Sequence, residues 1–506
     1  MAINQVKAGA LLNYCIIGLN ILTGLLYTPY MLRCLGQNEY GLYSLVASVI
    51  TYLTLLDFGF GSAIVRYTAK IKAAQTKQDE WRLYGMFLTG YAFIGLLVTI
   101  AGVALYFNVD RMFDRTMTSA EIHQAQIMMG LMVFNLAVTF PFSVFGSIIS
   151  AYEKFVFQRT VNILRILLST GVLIAVLALG FKAIALVIVQ TIFSITTMLI
   201  NVFYCKYKLK IKIWFNHFNF ALLKEIMIFS WWNFLGAIVD RIYWGAGQFI
   251  LGIYSGTVAV AIYSLAIMLM NLYMSMSTSL NSVLLPRITV LAVKKENDKQ
   301  ISDLFIRTGR LQFCVLAFIL SGFIVFGKPF IQLWAGTNYM QSYLITILFY
   351  IALLCPLIQN VGITVLIARG QMKFRSLCYL AISVACLGAQ ILLADKWGAI
   401  GCAIATCGTL FLGQWIIMNI YYHKKQNLDI LSFWSQIIKM AIVPVILIIS
   451  GYIVSQYIHI SSWFSLISGI AIFSMLYIPM FWMFSMNYYE RKLLGVPLSK
   501  LGFRII

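Results

Sequence analysis

Long apolar stretches repeat along the whole chain and limit what it can fold into. They are roughly 20 to 25 residues long, enough to cross a ~30 Å hydrocarbon core as a helix, and they recur about fourteen times in the 506 residues. Hydrophobic residues make up 61% of the chain and charged residues only 10%, whereas soluble domains contain about 25% charged residues. The pattern predicts an all-α polytopic membrane protein with no separately folded soluble domain.

The basic residues sort by side once the predicted helices alternate across the membrane. Most lysines and arginines, which give a net charge of +21, fall in one set of loops. The positive-inside rule makes that set cytoplasmic and predicts that both termini are cytoplasmic. A nucleic-acid partner is not expected, because no folded basic domain is present. The predicted spans are 9–32, 40–65, 83–107, 125–150, 160–180, 183–205, 225–254, 257–285, 308–333, 342–368, 376–394, 398–422, 436–457 and 463–486.

The sequence also resembles itself at a nearly constant offset. Six predicted helices separate the matching segments, so the repeats have the same orientation and form two pseudo-equivalent six-helix lobes. Helices 13 and 14 fall outside the repeat. The matches pair Gly36–Leu45 with Gly256–Leu265, Ala151–Phe155 with Gly370–Phe374, and Lys182–Ile184 with Gly398–Ile400. The predicted organisation is an N-lobe at 1–206, a cytoplasmic linker at 207–224, a C-lobe at 225–425, and helices 13 and 14 with a tail at 426–506.

Ionisable residues inside the predicted spans are the main candidates for function. Asp240 and Arg241 lie near the middle of helix 7, and Asp57 lies deep in helix 2, in the string Leu56-Asp-Phe-Gly-Phe-Gly61. A charged side chain at the bilayer centre costs about 2.5 to 3.5 kcal/mol on insertion scales, so such residues usually mark a transport pathway. The glycines after Asp57 permit close approach by a neighbouring helix. Arg165 in helix 5 is a further buried candidate.

Candidates nearer the membrane surface have a simpler interpretation. Arg66, Arg287 and Arg310 lie at the cytoplasmic ends of predicted helices, where arginine side chains commonly extend to the interface. Asn271 in helix 8 is more simply explained as a bridge between helices. All four remain candidates for contact with an anionic or polar substrate.

Several enzyme signatures are missing from the sequence. No GxxxxGK[ST] string occurs, so the chain is not its own ATPase. No CxxC or HExxH spacing suggests a metal site. The longest predicted external loop, Asn108–Gln124, is too short for a catalytic domain. The prediction is a transporter rather than an enzyme, without a cofactor or a metal.

The first two helices carry a family resemblance. The strings Thr28-Pro-Tyr-Met-Leu-Arg-Cys-Leu-Gly36, Glu39-Tyr-Gly-Leu-Tyr43 and Leu56-Asp-Phe-Gly59, followed by Arg66, resemble the Wzx-type polysaccharide and O-antigen flippases. These belong to the multidrug/oligosaccharidyl-lipid/polysaccharide exporter superfamily. The resemblance continues through Leu251-Gly-Ile-Tyr254, Ala261-Ile-Tyr-Ser264 and Leu333-Trp-Ala-Gly336.

The resemblance implies a fold and an activity. The two lobes would form a V around a central cavity, with two extra C-terminal helices. The protein would move an undecaprenyl-diphosphate-linked oligosaccharide between the leaflets of the bacterial inner membrane, from the cytoplasmic to the periplasmic side. It would do so by alternating access, as an antiporter coupled to a proton or sodium gradient. Polysaccharide polymerase and glycosyltransferases of lipopolysaccharide biosynthesis are the candidate protein partners.

The implied roles divide the candidate residues into two sets, and other functions stay open. The substrate-binding set is Arg241, Arg66, Arg287, Arg310 and Asn271, and the ion-coupling set is Asp240 and Asp57. One alternative is a cation-coupled multidrug exporter of the same superfamily. The other is a membrane enzyme, such as a polysaccharide polymerase or an acyltransferase.

Overall fold

The computed structural model is helical throughout its described part and contains no strand there. Within those residues, eleven helices are long and apolar enough to cross a membrane. The described residues are 5–74, 77–215, 220–293, 298–369, 371–457 and 460–491. The helices are α1 Gln5–Leu53, α2 Phe60–Ala74, α3 Lys77–Phe113, α4 Ser119–Ala151, α5 Phe155–Ala178, α6 Ala183–Phe203, α7 Phe220–Tyr254, α8 Gly256–Val293, α9 Asp298–Trp334, α10 Gln341–Ile358, α11 Asn360–Ala368, α12 Met372–Leu410, α13 Met418–Gln426, α14 Ile430–Tyr457 and α15 Trp463–Phe484.

Two of the membrane-length segments are bent at a glycine into two crossings each. Ala8–Lys72 contains Gly36 with φ of 76°, and Met372–Gln426 contains Gly398 with φ of 54°. Glycine adopts this left-handed backbone without a Cβ clash, so the helix can turn back there. The 35-residue helix α7 is also long enough to span the membrane. The predicted all-α polytopic fold is confirmed.

The chain divides into two compact units, which differ in extent from the predicted lobes. The first unit is Met1–Ala261 and the second is Ile262–Ile506. Helix α7 belongs to the first unit because it packs against the end of α1 and the segment that follows. The rings of Phe234 and Phe58 lie 4.5 Å apart between centroids. The lobe boundary near 207–224 stays a prediction.

The internal repeat recurs in backbone and side-chain geometry. Gly36 and Gly256, which are 220 residues apart, both have left-handed backbone, with φ of 76° and 80°. In the first unit, the amide of Gln190 donates to the hydroxyl of Tyr43 over 2.9 Å. In the second unit, the hydroxyl of Tyr263, which lies 220 residues after Tyr43, is 3.4 Å from the hydroxyl of Thr406. Each unit thus joins its second and sixth repeat helices through an equivalent tyrosine.

A buried ion pair attaches the C-terminal segment to α9 in the second unit. The Arg310 guanidinium donates to both Glu490 carboxylate oxygens, at 2.5 and 2.9 Å, and to the Ser485 carbonyl oxygen at 3.2 Å. The two charged side chains are only 7% and 1% exposed. The donors of Arg310 are therefore engaged within the protein, which gives this residue a structural explanation.

Breaking this pair should destabilise the second unit. We expect Glu490→Gln to reduce the free energy of unfolding by about 3 to 5 kcal/mol, because it leaves a buried guanidinium without its counter-charge. The double variant Arg310→Met with Glu490→Leu should recover most of that loss, since it removes both charges. Thermal unfolding of the purified protein measures both.

The exposed Lys70–Glu225 pair provides the control. Its side chains are 63% and 52% exposed, so Lys70→Met should cost no more than about 1 kcal/mol. Equal melting temperatures for Glu490→Gln and Lys70→Met would contradict the structural role of the buried pair.

Close helix packing in the first unit depends on Gly41. A Cβ at this position would collide with the carbonyl oxygen of Thr257, a backbone atom that cannot move aside cheaply. A Cβ at Gly18, in the first half of α1, would meet no atom within 4 Å.

These two glycines provide a matched stability test. Gly41→Ala should lower the melting temperature and the yield of folded protein, because α1 and the start of α8 must separate. Gly18→Ala should be neutral or stabilising by up to about 1 kcal/mol, since alanine favours helix over glycine. Thermal unfolding of both variants in detergent makes the comparison, and a stable Gly41→Ala protein would refute the tight contact.

Candidate functional site

Helix 2 of the predicted series is broken in its middle. The α-helix ends at Leu53, a 3-10 turn spans Thr54–Asp57, and left-handed backbone follows at Phe58 (φ 51°) and Gly59 (φ 72°). Gly59 supports this break through its positive φ, and the close helix approach expected at the glycines of this string stays a prediction. Freed backbone groups are tolerated at membrane depth only inside protein or beside a water-filled cavity. This break therefore indicates a polar interior.

Asp57 ends the 3-10 turn and is held by a buried tyrosine. The Tyr91 hydroxyl donates to the Asp57 carboxylate over 2.7 Å. The Tyr91 ring is fully buried. It lies 5.5 Å from the Phe60 ring and 6.2 Å from the Phe140 ring. These aromatic contacts fix the direction of the hydroxyl.

The Tyr91 hydroxyl lies close to the wall of a cavity of about 500 Å³, hereafter the larger cavity. The Tyr91 oxygen lies 3.9 Å from where a Cβ on Gly61 would sit, and Gly61 and Ser143 both line the cavity. The Tyr91 hydroxyl thus lies between Asp57 and the cavity wall. The lining comes from α2, α4, α5 and α6: Gly61, Ser62, Val65, Phe142, Ser143, Gly146, Ser147, Ser150, Gln158, Arg165, Ser194, Thr197, Met198 and Asn201.

A smaller cavity of about 210 Å³ lies beside earlier turns of α4 and α6. The two cavities are lined by successive turns of the same helices, and apart from the adjacent pair Gln190 and Thr191 the polar lining residues are spaced three or four apart. We call these residues the polar seam. On α4 it comprises Asn135, Thr139, Ser143, Ser147 and Ser150, and on α6 it comprises Gln190, Thr191, Ser194, Thr197 and Asn201.

Helix α7 exposes the two charged residues near its middle. Asp240 and Arg241 are both exposed. Tyr52, from the end of α1, lies close enough to Arg241 for the charge of the guanidinium to act on the tyrosine hydroxyl. Its hydroxyl is 3.3 Å from where a Cβ on Gly245 would sit. Arg241 therefore lies beside the helix that carries Asp57, within the first unit.

The other predicted site residues are spread over both units. Arg66 is exposed on α2, with its guanidinium 5.9 Å from the Tyr67 ring centroid. Asn271 is exposed on α8 in the second unit. Arg310 is in the buried ion pair, and the side chain of Arg287 lies outside the described residues. The structure thus groups Asp57, Arg66, Asp240 and Arg241 in one unit.

No metal centre is found in the part of the chain that the structure describes. There, no group of three or more His, Cys, Asp and Glu side chains is placed to hold an ion. The chemistry of this interior comes from hydroxyl, amide, carboxylate and guanidinium groups.

Comparison with known proteins places this geometry in a family. Residues 6–292, more than half of the chain, match the family described as polysaccharide biosynthesis protein. The chain belongs to this polysaccharide biosynthesis protein family. A Shigella flexneri protein described as a candidate O-antigen transporter is 20% identical over 405 residues, covering 78% of this chain and 92% of that protein.

Solved structures show the same fold. The lipid II flippase MurJ in an inward closed conformation superposes with a TM-score of 0.69 at 17% identity, covering 93% of this chain and 99% of that one. An inward-facing MATE multidrug transporter of the MOP superfamily gives a TM-score of 0.57 at 14% identity, with 82% and 99% covered. These likenesses show that the chain shares its fold with both transporters.

Sequence reasoning missed much of the interior of this family member. Tyr91, Ser143 and Ser147 were not singled out. The sequence does contain a signal of the polar seam. Small polar residues recur at helical spacing on α4 and α6. This signal was overlooked because serine and threonine lower hydropathy too little to stand out in an apolar span.

A double-mutant cycle tests the Asp57–Tyr91 contact. Asp57→Ala should lower the free energy of unfolding by about 1 to 3 kcal/mol, because the buried Tyr91 hydroxyl loses its acceptor. Asp57→Asn should cost less, since the amide oxygen still accepts. Adding Tyr91→Phe to Asp57→Ala should cost little more, and thermal unfolding measures the coupling. Strictly additive losses would show that the two side chains do not interact.

Proposed function

We propose that this protein is a flippase that moves an undecaprenyl-diphosphate-linked oligosaccharide from the cytoplasmic to the periplasmic leaflet. The observation that supports this most strongly is the polar seam. It occurs in a chain that belongs to the polysaccharide biosynthesis protein family. A head group of sugars and phosphates cannot cross hydrocarbon without polar partners, because each unpaired polar group costs several kcal/mol there. A helix bundle with hydroxyl-lined cavities at membrane depth offers such partners.

Two comparisons support a role in transport. The Shigella relative is described as a candidate O-antigen transporter, and the MurJ structure is that of a lipid II flippase. Both descriptions concern transport of lipid-linked or surface glycans. On this proposal the chain is a transporter in the bacterial inner membrane, with both termini in the cytoplasm.

Arginines supply the proposed contacts to the diphosphate. Guanidinium groups bind phosphate oxygens through paired, charge-assisted hydrogen bonds. Arg241 and Arg66 are exposed in the first unit and suit this role. Arg287 and Asn271 stay in the proposed substrate set. Arg310 is left out, because Glu490 and Ser485 occupy its donors.

Asp57 is the proposed coupling residue, with Asp240 as the second candidate. A charged carboxylate accepts the Tyr91 hydrogen bond, whereas a protonated one becomes a donor itself. Binding of a proton, or of a sodium ion to the carboxylate, would therefore change the contacts of the broken segment in helix 2. That segment is the proposed link between the ion gradient and alternating access.

The alternatives predict different phenotypes. A multidrug exporter of the same fold should protect cells from toxic cations, so its deletion should raise drug sensitivity. A polymerase mutant should still display single repeat units on the surface. A flippase mutant should retain lipid-linked units inside the cell. Polymerase and glycosyltransferases of the same pathway are the proposed functional partners.

Complementation of a flippase-deficient strain tests the assignment. We expect Asp57→Asn, Asp240→Asn and Arg241→Ala, each at wild-type membrane levels, to reduce surface polysaccharide at least tenfold and to accumulate lipid-linked units. Arg115→Ala, in the loop between α3 and α4, should export normally. The readouts are gel analysis of surface polysaccharide and extraction of lipid-linked sugar. Full export by all three variants would refute the proposed roles.

A further inference from the structure

Arg165 lies at membrane depth and lines the larger cavity. It is ten residues beyond the start of α5 at Phe155, or about 15 Å along the helix axis. Its side chain is exposed and is part of the cavity lining. A charge at this depth is costly unless it has water or a counter-charge.

Within the described residues, nothing in the protein compensates this charge. No hydrogen bond or ion pair engages the Arg165 guanidinium there. None of the residues lining the larger cavity is an aspartate or a glutamate. The contrast with Arg310 is direct, because Arg310 has a buried carboxylate and a carbonyl oxygen as partners. The donors of Arg165 are available to a ligand.

The rest of the lining suits a hydroxyl-rich ligand. It contains serines, a threonine and two amide side chains, which can donate to and accept from sugar hydroxyls. Ser150 and Gln158 already pair across the wall of the cavity at 2.8 Å. A volume of about 500 Å³ falls within the ~300–1,000 Å³ range of small-molecule sites. This space fits one part of a head group rather than a whole oligosaccharide.

The cavity also lies toward one particular side of the membrane. Its lining comes from the last turns of α4 and the first turns of α5, which meet at residues 152–154. This is the side of the basic loops, predicted to be cytoplasmic. On the proposed function, a lipid-linked head group would enter from that leaflet.

We propose that the larger cavity is a binding site for a sugar phosphate, with Arg165 contacting the phosphate and the hydroxyl and amide side chains of the cavity lining contacting the sugar. This rests on the flippase assignment for its biological ligand. The site holds the head group within the first unit, between α2, α4, α5 and α6. It also brings an anionic ligand close to Tyr91, whose hydroxyl donates to Asp57.

Binding of a soluble probe tests the site without requiring transport. The probe is glucose 1-phosphate, added to the purified full-length protein in nanodiscs, with inorganic phosphate and glucose in parallel arms. We expect glucose 1-phosphate to bind most tightly. Arg165→Gln should weaken its binding about tenfold or more, because charge-assisted hydrogen bonds are lost, and Arg165→Lys should retain part of it.

Arg159→Gln is the matched control, since it removes the same charge from the same helix outside the cavity lining. Its binding should equal that of the wild type. Ser147→Leu, which fills the cavity while keeping Arg165, should also abolish binding. Equal affinity of Arg165→Gln and Arg159→Gln for the probe, or no binding by the wild type, would overturn the site.

A liposome assay with a labelled lipid-linked sugar separates this proposal from the flippase assignment. Arg165-dependent probe binding without movement of the labelled lipid by the wild type would uphold the anion site and refute the flippase function. Movement of the lipid with probe binding that is independent of Arg165 would uphold the flippase function and refute the site.

Discussion

Hydrocarbon cannot satisfy polar groups, and this constraint explains most of the structure. Every backbone donor and acceptor inside the membrane must find a partner in the protein or in enclosed water. Most of the chain meets this condition with long helices. The exception that matters is the Thr54–Gly59 break, where backbone and a carboxylate lie at membrane depth. Protein groups surround this break, and the hydroxyl of Tyr91 satisfies Asp57.

The break connects local geometry to the proposed transport. A continuous helix would have carried Asp57 as an isolated charge on one face. In the broken form, the carboxylate belongs to a hydrogen-bond network with Tyr91, next to a cavity whose lining includes Arg165. A ligand or an ion that changes one member of this network changes its neighbours as well. Such a network is the kind of element on which an ion gradient and a substrate can both act.

The sequence predicted the features that depend on length and composition. Apolar runs gave the helices, and the match between Gly36 and Gly256 predicted the repeat that both positive φ values support. The unit boundary and the break at Phe58 were not predictable, because packing partners decide them. The pairing of Arg310 with Glu490 joins residues 180 positions apart, which no local pattern reveals. Asp57 was found because a carboxylate in an apolar span is conspicuous, whereas its partner Tyr91 is an ordinary residue there.

Water access to the larger cavity is the most direct test of this account. In a background without the nine native cysteines, Ser147→Cys places a thiol in the cavity wall. Leu168→Cys places one on the exposed outer surface of α5, which would face lipid. A charged thiol reagent applied to inside-out membrane vesicles should modify Ser147→Cys and leave Leu168→Cys unmodified. If Ser147→Cys stays inert while cysteines in the basic loops react, the interior is dry and the central claim is wrong.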